Sequence, residues 1–110
     1  MEVFRIKQGD RLPVLQTTLY DSAGPIDLTN VTTVTLLLKK RPSGNVIALT
    51  GQKVQSGSTN TGVVKYVWAG GDTDTIGFYD CEWELTYSGG EKMTVPNKSF
   101  DIVEISPDLN

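Results

Sequence analysis

Apolar and polar residues alternate with a period of two along most of this chain, and no stretch of useful length follows the helical period. The clearest case runs from Gly77 to Tyr87. Tyr79, Cys81, Trp83, Leu85 and Tyr87 alternate there with Asp80, Glu82, Glu84 and Thr86. Such a pattern describes a strand with one buried face and one wet, acidic face. Residues 32–40 repeat it, with Val34, Leu36 and Leu38 expected inward and Thr33, Thr35, Leu37 and Lys39 outward. Shorter strands are expected over residues 3–7, 14–20, 46–49 and 52–55. Residues 63–69 offer two faces, Val63/Val67 or Val64/Tyr66/Trp68, and the larger set is the expected core face. Ser88-Gly89-Gly90 turns the acidic strand into a hairpin whose return covers residues 91–95 and 99–105. Pro96-Asn97 breaks that return, because proline removes a ladder donor, so a kink or bulge is expected.

Turn signals separate these runs. Gln8-Gly9-Asp10, Asp21-Ser22-Ala23-Gly24-Pro25, Arg41-Pro42-Ser43-Gly44-Asn45 and residues 70–76 carry the residue types that fix or tolerate turn dihedrals. Residues 26–30 read as one tight helical turn, with Asp27 or Thr29 bonding nearby backbone amides. Residues 56–62 are expected to be the most flexible segment. Seven or eight short strands at this spacing indicate an all-β chain, an antiparallel sandwich or small barrel. Gly77-x-Tyr79-x-Cys81 is also how strand F of an immunoglobulin-like sandwich begins, with a corner tyrosine two residues before the cysteine. The expected fold is therefore an immunoglobulin-like antiparallel β-sandwich of seven or eight strands. Cys81 is the only cysteine, so it has no disulfide.

The 110 residues suit a single domain spanning 1–110. A chain of this length buries roughly 65% of its extended surface, enough to fold without staples. Ten basic and thirteen acidic residues leave a net charge of -3, which argues against nonspecific nucleic-acid binding. With no histidine and one cysteine, zinc sites built from His and Cys within one chain are impossible. Ser-His-Asp and Cys-His nucleophilic sites are excluded likewise. No apolar run approaches the roughly 20 residues that span a bilayer. Met1-Glu2-Val3-Phe4-Arg5 lacks the basic and apolar regions of a signal peptide, so synthesis in a cytoplasm without classical secretion is expected.

Several groups are candidates for chemistry. Asp80, Glu82 and Glu84 stand about 6.6 to 7 Å apart on one strand face, a spacing that overlaps the carboxylate pair of inverting glycosidases. Any acidic strand gives that spacing, and cross-strand pairing with the strands bearing Lys39 and Lys92 is the expected role. Gly71-Asp72-Thr73-Asp74-Thr75 resembles part of a calcium loop but lacks the glutamate and further ligands. Gly70-Gly71 is no phosphate loop, since no lysine and helix follow. Asn30-Val31-Thr32 and Asn97-Lys98-Ser99 match the glycosylation sequon. Trp68 and Trp83 would stack on sugars only if exposed, and their alternating patterns place them in the core. Lys39-Lys40-Arg41 reads as a solvated run at a strand end. No catalytic, cofactor or metal residue is assigned, and the binding residues are left open.

Three segments taken together resemble a family of bacteriophage virion domains. The first is Ile6-Lys7-Gln8-Gly9-Asp10, leading to Pro13 and Leu19. The second is Gly24-Pro25-Ile26-Asp27-Leu28-Thr29. The third is Gly62-Val63-Val64-Lys65-Tyr66-Val67-Trp68, then Gly71-Asp72-Thr73, Gly77-Phe78-Tyr79 and residues 82–87. Gly90 and Pro96 sit where the family often carries a hairpin turn and a proline. The family is the immunoglobulin-like domain at the N-terminus of baseplate upper proteins and related phage tail proteins. Arg11, Asn30, Cys81 and Trp83 depart from its usual residues. In longer members receptor-binding parts follow; with the chain ending at Asn110, the assembly half of the role is the one expected. The resemblance implies a noncatalytic phage or prophage tail or baseplate protein, made in the host cytoplasm and carried in the virion. Its implied partners are other tail subunits or itself, with no nucleic acid, membrane, cofactor or small-molecule substrate. The alternative is a carbohydrate-binding or cell-surface adhesion module, and a third reading is a hydrolase using Asp80, Glu82 or Glu84.

Overall fold

A computed structural model describes residues 2–54, 61–95 and 100–109. Among them it is all-β. The largest sheet is built from β1 (Glu2–Lys7), β5 (Val31–Lys40), β6 (Val46–Thr50), β9 (Gly77–Tyr87), β10 (Lys92–Val95) and β11 (Phe100–Ser106). Its order is β1-β11-β9-β5-β6, with β10 also on β9. A second sheet has the order β2-β8-β7, formed by β2 (Leu15–Thr18), β8 (Val63–Tyr66) and β7 (Gln52–Lys53). β3 (Tyr20–Asp21) and β4 (Gly24–Pro25) make a two-residue ribbon between β2 and β5.

β9 is the axis of the large sheet. β5 pairs along its length on one side. On the other side β11 covers Gly77 to Asp80 and β10 covers Trp83 to Thr86. Alternation dictates the result: Tyr79, Cys81, Trp83 and Leu85 are buried, while Asp80 and Glu82 are exposed. Tyr87, expected in the core, is only partly buried at its rim. On β5, Val34, Leu36 and Leu38 face in as expected. Val31 is buried too, because a bulge between Val31 and Thr33 inserts one residue and resets the period. Val64, Tyr66 and Trp68 form the buried face of the second sheet and the segment after it. Residues from both sheets belong to a common core, with Leu15, Leu36, Trp68, Trp83 and Leu85 fully buried.

Three expectations need correction. The pairing is not wholly antiparallel, since β1 runs parallel to β11. These two strands lie far apart in sequence, so no tight hairpin dictates their direction. Among the described residues the strands number eleven segments rather than seven or eight, because β3, β4 and β7 are two-residue pieces. Residues 26–30 do not form a helical turn. Ile26 donates to the Leu19 carbonyl, Asp27 bridges Thr61, and a single turn closes from the Val31 amide to the Leu28 carbonyl. The expected role of Asp27 holds: its carboxylate accepts the Thr29 amide at 2.9 Å and the Thr29 hydroxyl at 2.6 Å. The hydroxyl bond first, then the amide, holds Asp27 below the usual carboxylate range. The expected flexible segment at 56–62 and the kink at Pro96-Asn97 lie outside the described residues, except Thr61 and Gly62.

The backbone and its surroundings together demand glycine at position 62. Gly62 has φ of 72°, and a Cβ there would meet the Leu19 carbonyl oxygen at 2.8 Å. Its own carbonyl accepts the Leu19 amide at 2.7 Å, so it ties the end of β2 to the start of β8.

Candidate functional site

The acidic face of β9 is a paired surface. Asp80 accepts from Arg41 at 2.7 Å, and Glu84 lies 3.8 Å from Lys92. β9 does run between the strands bearing Lys39 and Lys92, as the strand order of an immunoglobulin-like sheet suggested. Lys39 stands opposite Asp80 in register, yet the ion pair is made by Arg41 from the adjoining turn. Glu82 has no ionic partner among the described residues. A further pair, Arg5 with Glu104 at 3.1 Å, joins β1 to β11. These pairs are largely solvated and each contributes about 0–1 kcal/mol. The three carboxylates lie on the outward side of the sheet, opposite the buried Tyr79, Cys81, Trp83 and Leu85.

In the loop at 70–76, Asp72, the Thr73 hydroxyl and the carbonyls of Thr73, Asp74 and Thr75 bond within the fold. Asp72 accepts both the Tyr66 hydroxyl and the Ala69 amide, the latter at 2.8 Å. Burial and the Asp72 carboxylate push the Tyr66 phenol up to about 12. Thr73 is buried and donates to the Asp10 carbonyl at 2.8 Å. The Gly9 amide donates in turn to the Thr73 carbonyl at 3.1 Å, and the Gln8 side chain to the Asp74 carbonyl at 2.8 Å. Gln8-Gly9-Asp10 and Gly71-Asp72-Thr73 are thus two halves of one clip. Tyr79 completes it by donating its hydroxyl to the Thr75 carbonyl at 2.7 Å, and its burial raises its pKa. Among the described residues no group of three or more His, Cys, Asp or Glu is placed to hold a metal ion.

Trp68 and Trp83 are both fully buried, so neither presents a ring to a sugar. Trp68 stacks on Phe4 with centroids 6.1 Å apart, meets Tyr66 edge-on at 5.2 Å, and donates to the Pro13 carbonyl at 3.1 Å. The Trp83 indole N–H has no acceptor among the described residues. Asn30 of the first sequon is exposed; the second sequon lies outside the described residues. Cys81 is buried and, as the only cysteine of the sequence, forms no disulfide within the chain.

The site that pattern reading missed is the margin at β6. Leu38, Ile47, Leu49, Tyr79 and Ile105 line a cleft of about 200 Å³, with Asp72 on its loop side. Pockets for small organic ligands run to about 300–1,000 Å³. This cleft suits an apolar side chain better, and Asp72 Oδ2 and the Tyr79 hydroxyl beside it are already bonded. Its outer lip is β6, where Val46 is 61% and Ile47 44% exposed. The available signal was composition: Val46-Ile47-Ala48-Leu49-Thr50 carries no charge and no proline.

Searches against protein-family models, curated proteins and solved structures found no match to this chain.

Proposed function

We propose that this chain is a noncatalytic structural protein of a phage or prophage tail or baseplate, an assembly module acting through protein–protein contacts. Its fold is then an immunoglobulin-like sandwich. The strand orders β1-β11-β9-β5-β6 and β2-β8-β7 support that fold, as does the Tyr79 hydroxyl bonded four residues upstream. The observation that carries the functional reading is the fate of the motif residues. Gln8, Gly9, Asp10, Asp72 and Thr73, which bear the resemblance to virion domains, bond to one another and to the core rim. These bonds make them parts of a scaffold. Its partners are other tail subunits and itself, its compartment is the virion, and it is made in the host cytoplasm. The carbohydrate-binding alternative loses its aromatic platform to the core.

Deleting the reading frame from the phage or prophage tests the proposal by electron microscopy and plaque assay. Particles with incomplete tails or baseplates are expected. Infectious particles of normal form and number would overturn it.

A further inference from the structure

The proposed assembly role leaves open which surface assembles, and the backbone of β6 answers in detail. β6 pairs with β5 on one side and with no described strand on the other. The Gly51 amide donates to the Val34 carbonyl at 2.7 Å, one step beyond the Thr35–Thr50 register. Antiparallel pairs alternate between bonded and non-bonded, so Leu49 and Ile47 aim their backbone groups at β5. The same alternation sends the N–H and C=O of Val46, Ala48 and Thr50 outward. The Arg41 amide bonded to the Phe78 carbonyl at 2.8 Å fits the same phase on the far side of β5.

We propose that a second copy of this chain pairs with β6 edge to edge, antiparallel, about a two-fold axis through Ala48. This deepens the assembly reading and rests on it. The strand is self-complementary in that register alone. Val46 meets Thr50 of the second copy, Ala48 meets Ala48, and every outward backbone group finds a partner, about six hydrogen bonds in all. On the inward side, Ile47 meets Leu49 of the second copy. An apolar row then runs unbroken from Leu38 through Ile47 to Leu49 and Leu36 of the second copy. No charge on β6 opposes its own copy across the axis.

The opposite edge of the sheet is built differently. β1 carries Arg5 and Lys7, both exposed, the charged dressing that keeps an edge from pairing. β6 has no such guard. Five residues a side bury far less than the 1,200 Å² or more of a stable complex, so the pair is weak in solution and is reinforced where copies are held together.

Sedimentation equilibrium of the chain from about 10 μM to 1 mM tests this, with Ala48→Pro and Ala48→Lys as variants. The Ala48 amide does not bond β5, so proline at this edge position leaves the parent sheet ladder intact. Leu12→Ser, at a 73% exposed residue elsewhere, controls for general stickiness. The wild type and Leu12→Ser are expected to move toward dimer mass as concentration rises. Both Ala48 variants, with unchanged circular dichroism, are expected to associate at least about tenfold more weakly. If one variant misfolds, the other decides. Monomer mass for the wild type at every concentration overturns the pairing, and so does dimerisation that ignores both Ala48 changes. Sedimentation reads the isolated chain, so its failure is separate from that of the assembly reading, which is decided by tail morphology.

Discussion

Removing the Tyr79 hydroxyl isolates the bond that ties the 70–76 loop to β9. Tyr79 is buried, and its O–H donates to the Thr75 carbonyl at 2.7 Å, so Tyr79→Phe deletes one good hydrogen bond and almost no volume. A typical intramolecular hydrogen bond contributes about 0.5–1.5 kcal/mol net. Thr75 is exposed, so its carbonyl recovers water and escapes the larger penalty of an orphaned acceptor. The expected cost is therefore about 1 kcal/mol, or about 4 °C in melting temperature for a chain of this size. Urea denaturation should show a lower midpoint with an unchanged slope, since the surface exposed on unfolding is the same. Tyr87→Phe is the control, because the Tyr87 hydroxyl bonds no described group and the ring sits at the core rim. Its expected change is below about 0.5 kcal/mol. Amide exchange adds a local readout: Asp72 and Asp74 donate within the loop and should lose protection in Tyr79→Phe first. Equal stability of the two variants would refute the corner bond as an anchor.

Gly62→Ala combines a left-handed backbone with a 2.8 Å approach to the Leu19 carbonyl, so a loss of about 2 kcal/mol or more is expected in thermal melts. Leu36→Ala empties a fully buried site between β6 and β9 and should cost about 2–5 kcal/mol by urea titration. Stability should fall as pH rises above about 10, because unfolded tyrosine ionises near 10 while Tyr66, raised to about 12, stays protonated in the fold. The Tyr66 contribution is complete below the unfolded pKa and is lost as pH climbs through the folded one; Tyr66→Phe should flatten the alkaline slope of stability. Asp80→Asn should change stability by less than about 1 kcal/mol, as its pair with Arg41 is half-exposed on both sides, and less again at high salt.

Where alternation was strong the fold was legible. Tyr79, Cys81, Trp83 and Leu85 could face only one way once Asp80, Glu82 and Glu84 claimed the other, and Val64, Tyr66 and Trp68 followed by size. The pairing of β1 with β11 was not legible, because β1 holds nothing that names β11 or the parallel direction. Residues 26–30 misled because Asp27 and Thr29 favour any local turn, and the choice of a non-helical one was made by Leu19 and by the distant Thr61. The clip between Gln8-Gly9-Asp10 and Gly71-Asp72-Thr73 was visible only as two separate motifs. Its meaning needed the Thr73–Asp10 contact, which spans sixty-three positions. β6 was least legible of all, since whether an uncharged strand is central or an open edge depends on tertiary structure.

The assembly reading is tested most directly by quantitative mass spectrometry of gradient-purified, nuclease-treated phage particles carrying this gene. Peptides of this chain are expected in the intact particle, at a copy number in fixed ratio to known tail subunits. Particles free of it, with the protein found only in the soluble lysate, would overturn the proposed virion role.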